Sequence, residues 1–230
     1  MKRIALLLGA TLGLTALLGA AAQAWEPKKP IKIIVGFSPG GGTDIVARTI
    51  VASAQEFFPV PLVVVNKPGA GGTLAAEFVS KSKPDGYTLL VAGGSESTSV
   101  PNHRKVNYDI GEFVGIIRLI RSRIFFGVQS SSNIKSIEDL AKEAKANPGK
   151  LSYSSSGQGS ILHSSMLLLA NDLKADLRHV PYKGGAPAMA AMLGGHVDIA
   201  MIGGPEEAQA HLAAGKIRLL ATPSDTRFPG

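Results

Sequence analysis

The sequence predicts an α/β protein built on parallel sheets. Short apolar, β-branched runs recur along the chain, and each leads into a glycine-rich loop. Most of these loops lead on into a segment with helical spacing. Strands that alternate with helices in this way form parallel α/β units. In such sheets ligands bind at the carboxyl ends of the strands, where these glycine loops fall.

The first 24 residues are read apart from the fold. Met1-Lys2-Arg3 is a basic start, Ile4 to Ala21 is apolar, and Ala22-Gln23-Ala24 is an A-x-A pattern before Trp25. That is a secretory signal peptide. The apolar run, about 18 residues, is at the low edge for spanning a bilayer, and the cleavage pattern follows it directly. The mature chain is expected in the periplasm.

Ile31 to Ala47 is the most informative unit. Ile31, Ile33, Ile34 and Val35 read as a buried strand, Pro39-Gly40-Gly41-Gly42-Thr43 as a loop, and Ile45, Val46, Arg48 and Ile50 as a helix. Strand, glycine loop and helix together aim free backbone N–H groups and the positive end of a helix dipole at one spot, which suits an anion. The unit recurs at 62–79 through Gly69, Gly71 and Gly72, and 87–99 is a strand running into Gly93-Gly94-Ser95. RSRIFFGV (121–128) reads as a strand between two α/β blocks, followed by a helix at about 136–146 and a Pro148-Gly149 stop. Residues 150–173 place Ser156-Gly157-Gln158-Gly159-Ser160 before an amphipathic helix, and 177–193 pass through Tyr182-Lys183-Gly184-Gly185 into an Ala-rich one. At 197–212 a strand meets Gly203-Gly204-Pro205, with Glu206 and Glu207 as start signals in the next helix.

The charge balance narrows the ligand. The chain carries 24 Lys+Arg and 17 Asp+Glu, and loss of Lys2 and Arg3 leaves 22 against 17, a balance of +5. A modest positive balance suits a small organic anion. Export and the lack of an interleaved basic-aromatic motif argue against nucleic acid. With no cysteine there is no disulfide and no thiolate chemistry. His103, His163, His179, His196 and His211 show no metal-ligand spacing, so no metal or cofactor is expected. The scarcity of aromatics, at 6%, makes a sugar the weaker ligand class.

Several segments carry a resemblance. VGFSPGGGTDIVAR, VVVNKPGAGGTLAAEFV, KPDGYTLLVAG, NPGKLSYSSSGQGSILH, HVPYKGGAPAMAAMLGGHVDIAM and AAGKIRLLATPSDTRFPG together resemble the TctC/Bug-type periplasmic receptors of tripartite tricarboxylate transporters, in family order. The resemblance implies a two-lobed Venus-flytrap fold of the type II-like class, each lobe a mainly parallel sheet flanked by helices. It implies capture of a small carboxylate by a monomer, delivery to a membrane permease, and no chemistry. Residues 25–122 are assigned to lobe one, 123–222 to lobe two, and 223–230 to the start of a return to lobe one. The rest of that return is missing relative to the family, so a truncated or degenerate receptor is the alternative, with some apolar surface of lobe one left uncovered.

The same resemblance assigns backbone amides of Ser38, Gly40, Gly41, Gly42, Thr43 and Asp44 to one ligand carboxylate. The matching loop of lobe two, with Ser156, Gly157, Gly159 and Ser160, is expected to face them and grip the other end. Asp44 either starts its helix or takes the amine of an amino-acid ligand. Asn66 and Gly71, and Ser95 in a third loop, either line the cleft or shape their turns. His163 either bonds the ligand or packs. In the segment Tyr182-Lys183-Gly184, Lys183 either attracts the anion or is solvated. Arg104, Lys105, Arg118, Arg121 and Arg123 read as a solvated basic face near the hinge. A serine hydrolase using Ser95 or Ser160 with His163 or His179 is the distant alternative. It lacks the nucleophile elbow, because Ser97 stands where glycine is needed.

Overall fold

A computed structural model describes residues 25–224. The signal peptide assigned to 1–24 and most of the return segment assigned to 223–230 lie outside the described residues. The fold is α/β, with two sheets flanked by helices. The first has strand order β2-β1-β3, with β1 Ile31–Val35, β2 Leu62–Asn66 and β3 Thr88–Val91 all parallel. Central β1 pairs on both sides, Ile33 opposite Val64 and Leu89, which is why IKIIV is almost wholly buried. Helices α1 (Gly42–Ala54) and α2 (Thr73–Ser80) follow β1 and β2. Ile31, Ile33, Val35 and Ala47 form the core of this lobe.

The second sheet has order β6-β5-β7-β4-β8, from β4 Phe125–Gln129, β5 Ser152–Ser155, β6 Arg178–Pro181, β7 Ile199–Ile202 and β8 Ile217–Ala221. β5 pairs parallel with β6 and β7, whereas β4 runs antiparallel to β7 and β8. The sheet is therefore mixed, with an antiparallel edge. Alternation along β7 separates two cores. Ile199 and Met201 pack with Leu140 and Met166 on one face, under α4 (Ile137–Ala146) and α5 (Ile161–Leu173). Ala200 and Ile202 pack with Met189, Met192 and Ala208 on the other, under α6 (Gly185–Leu193) and α7 (Pro205–Ala213). Helix α4 starts as its sequence dictates: the Ser136 hydroxyl accepts from Asp139 N at 3.2 Å, and Glu138 and Asp139 sit in the first turn.

The third loop of lobe one, Ser95–Ser99, is a single π turn that leads into α3 (Val100–His103). Beyond it, Val114, Ile116 and Ile117 are 89, 75 and 76% exposed. Arg104 is exposed, and its guanidinium also donates to Ala70 O at 3.0 Å and to the Thr73 hydroxyl at 3.3 Å. Among the described residues no helix is long and apolar enough to cross a membrane.

Candidate functional site

Every glycine loop picked out from the sequence lies at the carboxyl end of its strand, and the loops of the two lobes touch. At the start of α1, Asp44 is 2% exposed. One carboxylate oxygen accepts from Gly40 N at 2.9 Å and Arg48 Nε at 2.8 Å, the other from Asn66 Nδ2 at 2.8 Å. Burial pushes the Asp44 carboxyl up, but the bonds from Arg48, Gly40 and Asn66 outweigh it and leave the group below the ordinary value. Asn66 also donates to Phe37 O at 3.0 Å. The Phe37 ring lies against Gly93 and Gly72, where an added Cβ would stand 2.6 and 3.1 Å from it. Asp44 and Asn66 are thus the internal brace of the loop. Buried and bonded three times within its own lobe, the Asp44 carboxylate serves the loop in this structure.

The tip of this loop meets lobe two at Lys183. Ser38 donates to Lys183 O twice, from N and from Oγ, both at 3.0 Å. A Cβ on Gly184 would come within 2.8 Å of Ser38 N, so only glycine permits this approach. The contact is made by the carbonyl of Lys183, an exposed residue. Gly41 lies next to the start of α6, its Cβ position 3.4 Å from Ala186 N. Gly42, at the start of α1, lies beside the Glu207 carboxylate on α7, with Oε2 3.7 Å from its Cβ position.

A second set of contacts joins the other loops. Gly71 and Gly157 face each other, with the Gly157 Cβ position 3.1 Å from Gly71 N. The Ser95 hydroxyl, 3% exposed, accepts from Ile161 N at 3.1 Å, so lobe one caps α5 of lobe two. Ser99 donates to Gly159 O at 2.7 Å and lies 2.8 Å from the Ser164 hydroxyl, which also meets His103 Nε2 at 2.9 Å. Behind this seam Tyr153, His179 and His163 stack, with centroids 4.9 Å apart for the first pair and 4.0 Å for the second. His179 Nε2 lies 2.7 Å from the Ser155 hydroxyl, and burial together with neighbouring His163 pushes its ring down to about 4. His163 is 5% exposed; Gly159 N donates to its Nδ1 at 3.2 Å, and burial lowers its ring too, with His103 adding to the effect.

This geometry differs from the expected pairing of loops. The Ser38–Thr43 loop faces Lys183, Gly184, Gly185 and Glu207, whereas the Ser156–Ser160 loop faces Gly71, Ser95 and Ser99. The starts of α1 and α5 therefore do not oppose each other; each meets another part of the opposite lobe. Ser160 is the N-cap of α5, its hydroxyl accepting from His163 N at 3.2 Å. Since the hydroxyls of Ser95 and Ser160 both accept a helix N–H, neither is arranged as a nucleophile. Tyr182 N donates to Ser155 O, and its side chain packs on the β7–α6 core. Sequence reasoning missed Glu207, Ser99 and His103 as seam residues. Glu207 had one visible signal, its place in a first turn, and that signal reads equally well as ordinary capping.

Removing the cross-lobe cap isolates its contribution. Ser95→Ala is expected to cost about 1 kcal/mol, or roughly 3 °C in melting temperature for a chain of this size. An unchanged melt would show that Ile161 N finds an equal partner within its own lobe.

Comparison with known proteins bears on this site. Residues 46–230 match the tripartite tricarboxylate transporter family receptors. A Cupriavidus necator protein described as "UPF0065 protein in gbd 5'region" is 38% identical over 224 residues, covering 96% of this chain and 68% of that protein. Protein BugT of Bordetella pertussis is 29% identical over 235 residues, covering 100% and 72%. Among solved structures, R. palustris Rpa4515 with adipate has TM-score 0.80 and 32% identity, covering 87% of this chain and 68% of that one. MatC (Rpa3494) from Rhodopseudomonas palustris with bound malate has TM-score 0.78 and 29% identity, covering 87% and 69%. This chain spans about two thirds of the length of these proteins.

Proposed function

Since this chain belongs to the tripartite tricarboxylate transporter receptor family, we propose that it is a periplasmic receptor that closes its two lobes on a small organic acid and hands it, as a monomer, to a membrane permease. The observation that supports this most is the meeting, at one seam, of glycine-rich turns and helix starts from both lobes. A carboxylate at such a start gains roughly 0.3–2 kcal/mol from the dipole. Each charge-assisted bond to an amide adds roughly 1.5–3 kcal/mol. Two such grips reach about micromolar affinity, roughly −8 kcal/mol, after the costs of closure. Adipate and malate in the related structures make aliphatic carboxylates the first compounds to try.

Calorimetric titration of the chain with adipate, malate, succinate, citrate, aspartate and glutamate is expected to find a binder. Gly184→Ala, which sets a methyl group against Ser38 N, should weaken that binder at least about tenfold while circular dichroism stays native. Silence from every acid in a folded sample would end the receptor reading. Full affinity in the Gly184 variant would place the ligand away from this contact.

A further inference from the structure

Two adjacent acids, Glu206 and Glu207, sit in the first turn of α7, beside lobe one. Glu207 Oε2 accepts from Gly203 N at 3.1 Å and lies 3.7 Å from the Gly42 Cβ position. Its other oxygen, Oε1, is cut off from solvent and has no hydrogen-bond partner among the described residues. A buried carboxyl oxygen left without a partner is a costly arrangement that calls for an explanation.

The surroundings of Oε1 say what that is. Oε1 lies so near Gly185 that a Cβ there would overlap it. Gly185 opens α6, a nine-residue helix whose N-cap, Gly184, offers no side-chain acceptor to its first amides. Across the seam, the Gly41 Cβ position is 3.5 Å from Gly185 N and 3.4 Å from Ala186 N. A lone carboxylate oxygen and a set of uncapped helix amides therefore stand side by side where the lobes touch. One seeks a positive donor, the other an anion. At the start of α1, by contrast, the anion's place at Gly42 is already filled from within the chain, and Glu206 sits close by, its Oε1 3.0 Å from the Gly42 Cβ position. A second carboxylate of a plain diacid would meet like charge there. Asp44, the other acid beside this loop, is buried and turned to Gly40, Arg48 and Asn66 of its own lobe.

We propose that Glu207 selects the ligand: Oε1 holds the protonated amine of an amino acid whose carboxylate docks on the first amides of α6. This rests on the receptor reading above and narrows its ligand class. Burial pushes the Glu207 carboxyl up to about 7, as expected for a carboxylate without a counter-charge, and an ammonium group supplies that charge.

Matched pairs test it. The full chain, Glu207→Gln and Glu206→Gln are titrated by calorimetry with aspartate against succinate and glutamate against glutarate, and melting checks that each variant is folded. The native chain is expected to bind one amino acid at least about tenfold tighter than its diacid partner. Glu207→Gln should lose at least about tenfold for the amino acid and bring the pair within roughly threefold. Glu206→Gln should keep the preference. If Glu207→Gln does not fold, Gly185→Ala serves instead: its methyl displaces Oε1 and should erode the same preference. Diacids binding as tightly as amino acids, or a preference untouched in these variants, overturns the role of Glu207 and leaves the receptor reading standing. No heat from any of the four acids with a folded native chain overturns the role of Glu207 too, and the receptor reading then stands or falls on adipate, malate and citrate.

Discussion

Asp44→Ala is expected to lower stability by about 3 kcal/mol at neutral pH, because it removes three hydrogen bonds to one buried charge. The figure lies below the sum of three full charge-assisted bonds for identifiable reasons. The Arg48 side chain is 52% exposed and can turn to water, so its share is small. Asn66 keeps its second bond, to Phe37 O. What cannot be replaced is the tie from Gly40 and Asn66 to one point, which fixes the loop at Gly40, a residue with φ +80°. Urea melts should show a lower midpoint with an unchanged slope. The folded carboxyl lies below its ordinary 3.8, so its contribution is complete above that value and is lost as pH falls through the lower folded value. Native chain and variant should therefore draw together in strong acid. Equal melts at neutral pH would mean that the loop is held by its glycine turns alone.

Asp44 also shows which kinds of information the sequence carries. Its Arg48 partner was legible, since Asp and Arg four apart meet on a helix. Its Asn66 partner, 22 residues away on the neighbouring strand, was not. The α/β units were legible because each depends on local periodicity and on glycine at a strand end. Their contacts across the seam were not. Ser95 and Ile161 are 66 residues apart and meet only because a π turn in one lobe reaches a helix start in the other. Tyr153 and His179 stack because β5 and β6 pair in a register that sets them directly opposite, and nothing in either segment alone fixes that register. The exchange of loop partners has the same cause. The pairing expected for the Ser38–Asp44 and Ser156–Ser160 loops came from the resemblance, whereas the relative placement of the lobes decides which loops meet.

That placement buries ionisable groups of opposite kinds, and their titrations should be measurable. Glu96, on the π turn of lobe one, is 1% exposed, with Gly93 N donating to Oε1 at 2.7 Å and no partner for Oε2 among the described residues. Burial pushes it up to about 6, and Glu207 to about 7, from an ordinary 4.5. In those windows the folded chain holds protons that the unfolded chain has released. Stability therefore falls as pH rises from 4.5, by about 2 kcal/mol up to pH 6 for Glu96 and about 3 kcal/mol up to pH 7 for Glu207. His179 acts in the opposite direction. Its folded value of about 4 lies under the ordinary 6.5, so the unfolded chain binds the extra proton and stability rises by about 3 kcal/mol from pH 4 to 6.5. Lowered His163 adds to that rise. The two trends overlap, so the native chain is expected to lose only about 2 kcal/mol between pH 4.5 and 6.5. Variants should unmask each half. A Glu96→Gln, Glu207→Gln double variant should gain about 3 kcal/mol across that range. His179→Gln should instead lose up to about 5 kcal/mol between pH 4.5 and 7. Urea midpoints at closely spaced pH values read both slopes. A double variant that follows the native profile would show that these carboxyls are ionised in the fold, and that the seam leaves them in contact with water.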